Sequence, residues 1–464
     1  MITKIDIKLF LLFNIILCTC YLSFAYGQTH PDRDKKIQEY VSRAMSSKDA
    51  SGVILVALNG EPVLRVGYGW ADIERHIPMT TEHSFAVGSL TKQFTALLTL
   101  KLVELGKLSL NDDITNYFPD CENFNGVSIL HLLTHSSGIK DLFKIEEWRK
   151  DLTINLSHAQ TLEMIKKQNL EFPPGTKIAY SNSGYYLLGL IIEQITGNTL
   201  NQCLKKYIIN PLDLSTTCFN DDKIPGIPTA QGYEIRDGKR VKPDSVSHTR
   251  YYAGGSIITT IDDLMKWDEA LYNESLVNSG TLDLYFKSFV LNNNEESTMA
   301  CGWETAFYGG IKIFGHGGGI NGYACQIYRV PQKRLYVAVL SNVVGSATPY
   351  SVSGIAQQIL SIMLDGSGAD SSQSKITLSN EELSEYAGQY SLRNGEIREI
   401  IVEENKMYYR LDESRKMELF PESKTKFHAG RASTLIFSFN EDGHVDQCEI
   451  FTGRGRSVVL TKIK

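Results

Sequence analysis

In the stretch VGSLTKQ (87–93), Ser89 and Lys92 stand three positions apart, a spacing at which a hydroxyl and an amine can share a proton. A serine hydroxyl attacks a carbonyl only when a base takes its proton. Lysine can be that base only if burial or a second positive group brings it well below its usual ~10.4. The same S-x-x-K pattern recurs at Ser372–Lys375 and at Ser423–Lys426, so spacing alone does not choose among the three. Context does. Ser372 lies in DGSGADSSQSK, text of linker composition, and Ser423 falls between strand-like runs; neither setting offers a rigid element to hold both side chains. Ser89 lies where strand-like HSFAVG gives way to helical TKQFTALLTLKLVEL. On a helix, residues three apart share a face with Cβ atoms ~5–6 Å apart. The helix N-terminus adds positive potential where an oxyanion would develop.

Two further groups could complete such a site. Tyr180-Ser181-Asn182 offers a phenol that can relay protons and an amide that can both donate and accept toward a substrate. Phe172-Pro173-Pro174-Gly175 just before it predicts a rigid turn that holds the tripeptide in place. The second group is Gly315-His316-Gly317-Gly318-Gly319-Ile320-Asn321-Gly322. Gly317, Gly319 and Gly322 match the dinucleotide fingerprint G-x-G-x-x-G, which requires a helix to follow. YACQIYRV follows instead and reads as a strand, so no dinucleotide site is expected and no cofactor is called for. Glycines on a strand have another use: a substrate can lie against their backbone, whose N–H groups can complete an oxyanion hole.

The elements that must position these groups are legible in outline. GVILVALNGEPVLRVGYG is two β-rich runs joined at Asn59-Gly60, a strong hairpin signal. A long, mostly helical middle region includes ILHLLTH, HAQTLEMIKKQ, SGYYLLGLIIEQITG and TIDDLMKWDEALY, and β pattern returns in GIKIFGH, ACQIYRV and RLYVAVLSN. Strands at both ends with helices between predict an α/β fold: one antiparallel sheet flanked by helices, with a helical insertion. After the linker, EIREIIVEE, KMYYRLD, STLIFSFN and RSVVLTK predict a small β-barrel or sandwich. The expected division is a leader at 1–27, a main domain at 28–365, a linker at 366–375 and a β-domain at 376–464.

Ser89-x-x-Lys92, Tyr180-x-Asn182 and His316-Gly317-Gly318, in this order, resemble the three motifs of the serine β-lactamase and penicillin-binding-protein superfamily. The version resembled is that of class C β-lactamases, DD-carboxypeptidases, D-aminopeptidases and related esterases, over roughly 30–365. ILHLLTHSSGI (129–139) and YYAGGSIITTIDDLMKW (251–267) are similar to segments that frame the family's site. The C-terminal part resembles the lipocalin-like barrel appended to many members. The resemblance implies Ser89 as acylated nucleophile, Lys92 as proton acceptor, and Tyr180 as donor to the leaving group and later activator of water. It implies that Asn182 orients the substrate amide and Lys92, that His316 and Gly318 line the substrate site, and that the N–H groups of Ser89 and Gly319 form the oxyanion hole. His316 departs from the Lys of many β-lactamases, since His is mostly neutral near pH 7. The expectation is therefore an ester or amide hydrolase, D-amino-acid peptides among its candidate substrates, with weak or no β-lactamase activity. A sensor that is acylated without turnover is the alternative, and a lipid- or glycan-binding barrel a third.

The remaining sequence narrows the setting. The net charge of −6 and the absence of a dense basic run argue against nucleic acid, leaving a small-molecule or peptide substrate as the expected partner. Lys4 and Lys8, the apolar run LFLLFNIILCTCYLSF and Ala25-Tyr26-Gly27 read as an export signal cleaved after Gly27. That places the mature protein in the periplasm or outside the cell, in association with the cell envelope or free of it; a membrane anchor is the alternative. Six cysteines remain after cleavage, scattered and without a C-x-x-C pair, and read as buried small hydrophobes. His131 and His135 stand i, i+4 on an expected helix but lack the Glu of H-E-x-x-H and a third ligand. No metal is expected there, and a histidine capping the SSG turn is the better account. Tyr251 and Tyr252 could line a pocket or pack in the core.

Overall fold

Asn59 and Gly60 both take left-handed backbone, with φ of 55° and 81°, as a type I′ turn requires. Gly52–Leu58 therefore folds straight back onto Glu61–Tyr68. The computed structural model describes residues 31–463 except 48–49, 220–223, 309, 346–350, 366–375, 393–394, 413–414, 430–432 and 453–456. The leader and the linker with Ser372 and Lys375 thus lie outside the described residues.

The hairpin pairs with strands from near the other end of the chain. Across the sheet the order is Met299–Ala300, Trp303–Tyr308, Ile311–Ile320, Tyr323–Val330, Leu335–Ser341, Gly52–Leu58 and Glu61–Tyr68, all antiparallel. Gly52–Leu58 and Leu335–Ser341 are almost wholly buried, as strands covered on both faces must be. One face packs under helices Pro31–Met45 and Val352–Asp365 through Ile37, Val41, Ile355 and Ile359. The other carries the larger core, built with Thr91–Glu104, Asn182–Thr196 and Ile261–Ala270. The middle region is less purely helical than its text suggests. It also contains small sheets, one joining Phe85–Ala86, Ile257–Thr259 and Cys218–Phe219, in runs too short for periodicity to reveal.

Gly388–Lys462 forms a closed barrel of eight antiparallel strands. Its core is filled by side chains: Tyr386, Phe427 and Phe437 meet edge to face at 5.0–5.2 Å between centroids, beside Leu435, Cys448 and Leu460. The barrel seats against the main sheet through Phe451, which is fully buried between Tyr308 and Tyr328 and whose carbonyl accepts from Gln357. Lys426, buried against Glu422, donates to the Tyr308 hydroxyl at 2.6 Å. Lys426 therefore serves the junction, and Ser423 meets it through backbone groups while its hydroxyl bonds Thr425, so this S-x-x-K does not form the side-chain pair that catalysis needs.

Candidate active site

The site is built on the turn that leads into Thr91–Glu104. Phe85–Ala86 ends in a 3₁₀ turn, Gly88–Leu90, that runs directly into the helix. Gly88 has φ 51° and sits so close to the Gly319 backbone that a Cβ would meet its oxygen and nitrogen at 2.9–3.0 Å. Glycine is needed there on both counts. The contact brings Ser89 and Gly319 to one cleft of about 250 Å³, which Asn182, Gly254, Leu142, Phe143 and Tyr251 also line.

Lys92 is wholly buried under Ser89. Its Nζ lies 3.0 Å from Ser89 Oγ, 2.8 Å from Asn182 Oδ1 and 2.7 Å from the Gly254 carbonyl oxygen. Burial pushes the amine down to about 7, against the opposing pull of the Asp141 carboxylate. A neutral amine has two N–H donors and one lone pair. The two carbonyl oxygens can only accept, so they take both donors and leave the lone pair for the Ser89 hydroxyl. The arrangement can deprotonate Ser89.

The Gly254 carbonyl is aimed by its surroundings. Tyr252 holds left-handed backbone, φ 38°, and its buried ring is gripped by His158 and Tyr186 at 4.4 and 5.0 Å. The next two carbonyls then face the site helix, where Thr95 donates to Ala253 O at 2.7 Å and Lys92 to Gly254 O. Such strain persists where surrounding packing over-determines it. Tyr252 is thus a packing residue, whereas Tyr251 lines the cleft and donates to Asn321.

Tyr180 and Asn182 come from the other side. Ser181 caps Asn182–Thr196, accepting from the Gly184 N–H, so Asn182 is the first residue of the helix. Tyr180 stacks on His135 at 4.3 Å between centroids, and its ring centroid lies 4.9 Å from Lys92 Nζ. His135 accepts from the Ser181 N–H at Nδ1, and its carbonyl accepts from Ala179, so one residue clamps both ends of the tyrosine loop. The expected shared helix for His131 and His135 is corrected: the helix ends at Leu133 and His135 takes φ 58°. His131 instead caps that helix, accepting from the Ser128 N–H. Among the described residues no cluster of metal-ligating side chains is present.

His316 is buried, its ring 6.0 Å from Tyr180, and its Nδ1 donates to the Gly317 carbonyl at 2.5 Å. Gly318 faces away from the cleft: a Cβ there would strike Val87 O at 2.1 Å, so it sets the approach of the strand to the Ser89 turn. The strand Ile311–Ile320 is followed by the strand Tyr323–Val330, the hairpin that rules out a dinucleotide fingerprint. The six cysteines among the described residues are buried and unbridged. Gly254 and Asp141 went unread in the sequence, because a backbone carbonyl carries no residue signature and a lone Asp in a loop has many uses.

A Beta-lactamase family model matches residues 37–357. Penicillin-binding protein 4* of Bacillus subtilis (strain 168) is 26% identical over 434 residues, covering 89% of this chain and 95% of that protein. Among solved structures, an octameric penicillin-binding protein homologue from Pyrococcus abyssi superposes with TM-score 0.65 at 24% identity, over 92% of this chain and 99% of that one. A D-amino acid amidase from Ochrobactrum anthropi SV3, complexed with L-phenylalanine amide, gives TM-score 0.62 at 23% identity, over 72% and 99%.

Proposed function

The chain belongs to the β-lactamase family of serine hydrolases, and on that premise we propose that it is an exported enzyme that cleaves esters or amides through an acyl-enzyme at Ser89. The observation that carries the reading is the buried Lys92, lowered to about 7 and hydrogen-bonded so that its lone pair meets Ser89 Oγ. As Oγ bonds the substrate carbonyl carbon, its proton passes to Lys92, and the developing oxyanion is met by the N–H groups of Ser89 and Gly319. Tyr180 delivers a proton to the departing amine or alcohol as the carbonyl re-forms. Lys92 then returns its proton to Tyr180 and is neutral again; water attacks the ester as Lys92, through Tyr180, takes one of its protons, and that proton passes to Ser89 Oγ as the C–Oγ bond breaks. The Tyr180 ring, 4.9 Å from the Lys92 amine, supports this deacylating role and so turnover over a silent sensor.

The cleft also supports a substrate class. His316 donates to its own strand through Nδ1 and supplies no permanent cation for a substrate carboxylate, which favours weak or no β-lactamase activity. Arg250 lines the cleft, but Nε, Nη1 and Nη2 each donate to a carbonyl, of Ile154, Trp148 and Asp151. The walls offered to an acyl group are Leu142, Phe143 and Tyr251, the two rings 6.3 Å apart. An apolar or aromatic acyl group, as in a D-phenylalanine amide or ester, suits them better than a carboxylate. Export rests on the text of residues 1–27; among the described residues no helix is long and apolar enough to cross a membrane.

The test is turnover of D-phenylalanine p-nitroanilide, D-alanine p-nitroanilide and p-nitrophenyl acetate by the protein and by its Ser89→Ala variant. Serine-dependent turnover with preference for the phenylalanyl substrate is expected. Turnover that survives in Ser89→Ala would overturn the assignment.

A further inference from the structure

The Lys92 lone pair faces Ser89 only while the Asn182 amide presents its oxygen, and something must keep that amide from turning over. The two ends of an amide are nearly the same in shape, and a rotation by half a turn would replace Oδ1 by Nδ2. The amide would then donate into the Lys92 lone pair and withdraw it from Ser89. Asp141 stands at the other end of the amide. Asn182 Nδ2 donates to both of its oxygens, at 3.3 and 3.1 Å, and the Asn182 backbone N–H points to Oδ2 at 3.4 Å. An ionised carboxylate only accepts, so it admits Nδ2 and rejects Oδ1. Asp141 is itself fixed: it is 8% exposed, and Oδ1 also accepts from the Phe143 N–H at 2.8 Å, capping the turn Leu142–Lys144.

We propose that Asp141 is a positioning residue of the acylation step, holding Asn182 Oδ1 toward Lys92 so that the amine's lone pair is kept for Ser89. The inference rests on Ser89 as nucleophile and adds to it a residue outside the three motifs. It has an electrostatic consequence as well. Asp141 is the charged group that opposes the burial of Lys92, so removing its charge drives the amine lower still. The other titratable groups near Lys92 are Tyr180 and Tyr185, with ring centroids at 4.9 and 5.5 Å, and His135 and His316 beyond Tyr180. They are common to wild type and variant, so a difference between the two reports Asp141.

The experiment compares wild type, Asp141→Asn and Asp141→Ser for the rate at which a fluorophosphonate adds to Ser89, followed by intact mass from pH 5 to 9. Asparagine keeps an acceptor for the Phe143 N–H but opposes Asn182 with a second amide, while serine keeps a small cap without one. Both are expected to label slower on the alkaline plateau, Asp141→Asn by roughly ten- to a hundredfold, the scale of one charge-assisted hydrogen bond. Both should also move the inflection to lower pH. If either folded variant matches wild type in rate and inflection, or is slower with an unmoved inflection, Asp141 is only a turn cap and the proposal fails while the hydrolase reading stands. A wild type that takes no label overturns both.

Discussion

Lys92 Nζ lies 3.0 Å from Ser89 Oγ while Asn182 and Gly254 accept from its other sides. When protonated, the amine has a donor for each of these three oxygens and no lone pair to receive the serine proton. When neutral, it is a base aimed at Ser89. The rate of acylation should therefore rise with pH through about 7 and level above it, since burial has lowered Lys92 to that value. Pre-steady-state release of p-nitrophenol from p-nitrophenyl acetate, followed from pH 5 to 9, checks this. A flat profile would mean that Lys92 is not the titrating base.

The same burial has a cost in stability. Lys92 ionises in the unfolded chain near 10.5 and in the folded protein near 7, so between these values the unfolded chain holds more protons. The folded state is therefore penalised increasingly as pH falls through that window, and the penalty is constant below it. The shift from 10.5 to about 7 corresponds to an upper limit of roughly 5 kcal/mol, offset in part by the hydrogen bonds Lys92 makes. Lys92→Met should abolish acylation yet gain stability relative to wild type as pH is lowered from 10 to 7. Urea unfolding of the pair across that range measures the difference, and a difference that does not change with pH would contradict it.

Tyr180 is held by its stack on His135 within reach of the Lys92 amine. Tyr180→Phe keeps the ring and the stack and removes the hydroxyl. Turnover is expected to fall by about a hundredfold or more, the usual weight of a positioned acid or base, with acyl-enzyme accumulating in the mass spectrum. Deacylation as fast as wild type would take the tyrosine out of the mechanism.

Phe451 joins the barrel to the main sheet, sharing a core with Tyr308 and Tyr328. Phe451→Ala should cost about 3–5 kcal/mol at that junction. Ser89 should still label at the wild-type rate at 20 °C, because the junction lies on the sheet face opposite the site helix. Calorimetry beside labelling checks both; a lost label in a folded variant would make the barrel part of the catalytic apparatus.

Much of this architecture is local and so could be read in the text. Asn59-Gly60 determines a turn by its own backbone preferences, and the spacing of Phe94, Leu97, Leu98 and Leu102 marks Thr91–Glu104 as a helix ending near Gly106, although the polar residues Thr91, Lys92, Gln93, Thr95 and Thr99 are buried as well. The barrel strands with strong alternation were legible, whereas Arg415–Pro421 and Val445–Thr452 are broken by charged residues and were not. In the site, Ser89, Lys92, Tyr180, Asn182 and the glycine strand stand in motifs, and the fold brings them together. Asp141 and the Gly254 carbonyl act through positions that only the tertiary fold creates. His135 shows the limit from the other side. Its spacing from His131 suggested one helix face, but Thr134 ends the helix and the ring turns instead to Tyr180.

Intact mass after incubation with a fluorophosphonate reads out whether Ser89 is an activated nucleophile. One adduct on wild type, none on Ser89→Ala and none on Lys92→Met is the predicted result. A folded wild type that stays unlabelled at pH 8, or a Ser89→Ala variant that labels equally, would contradict the account.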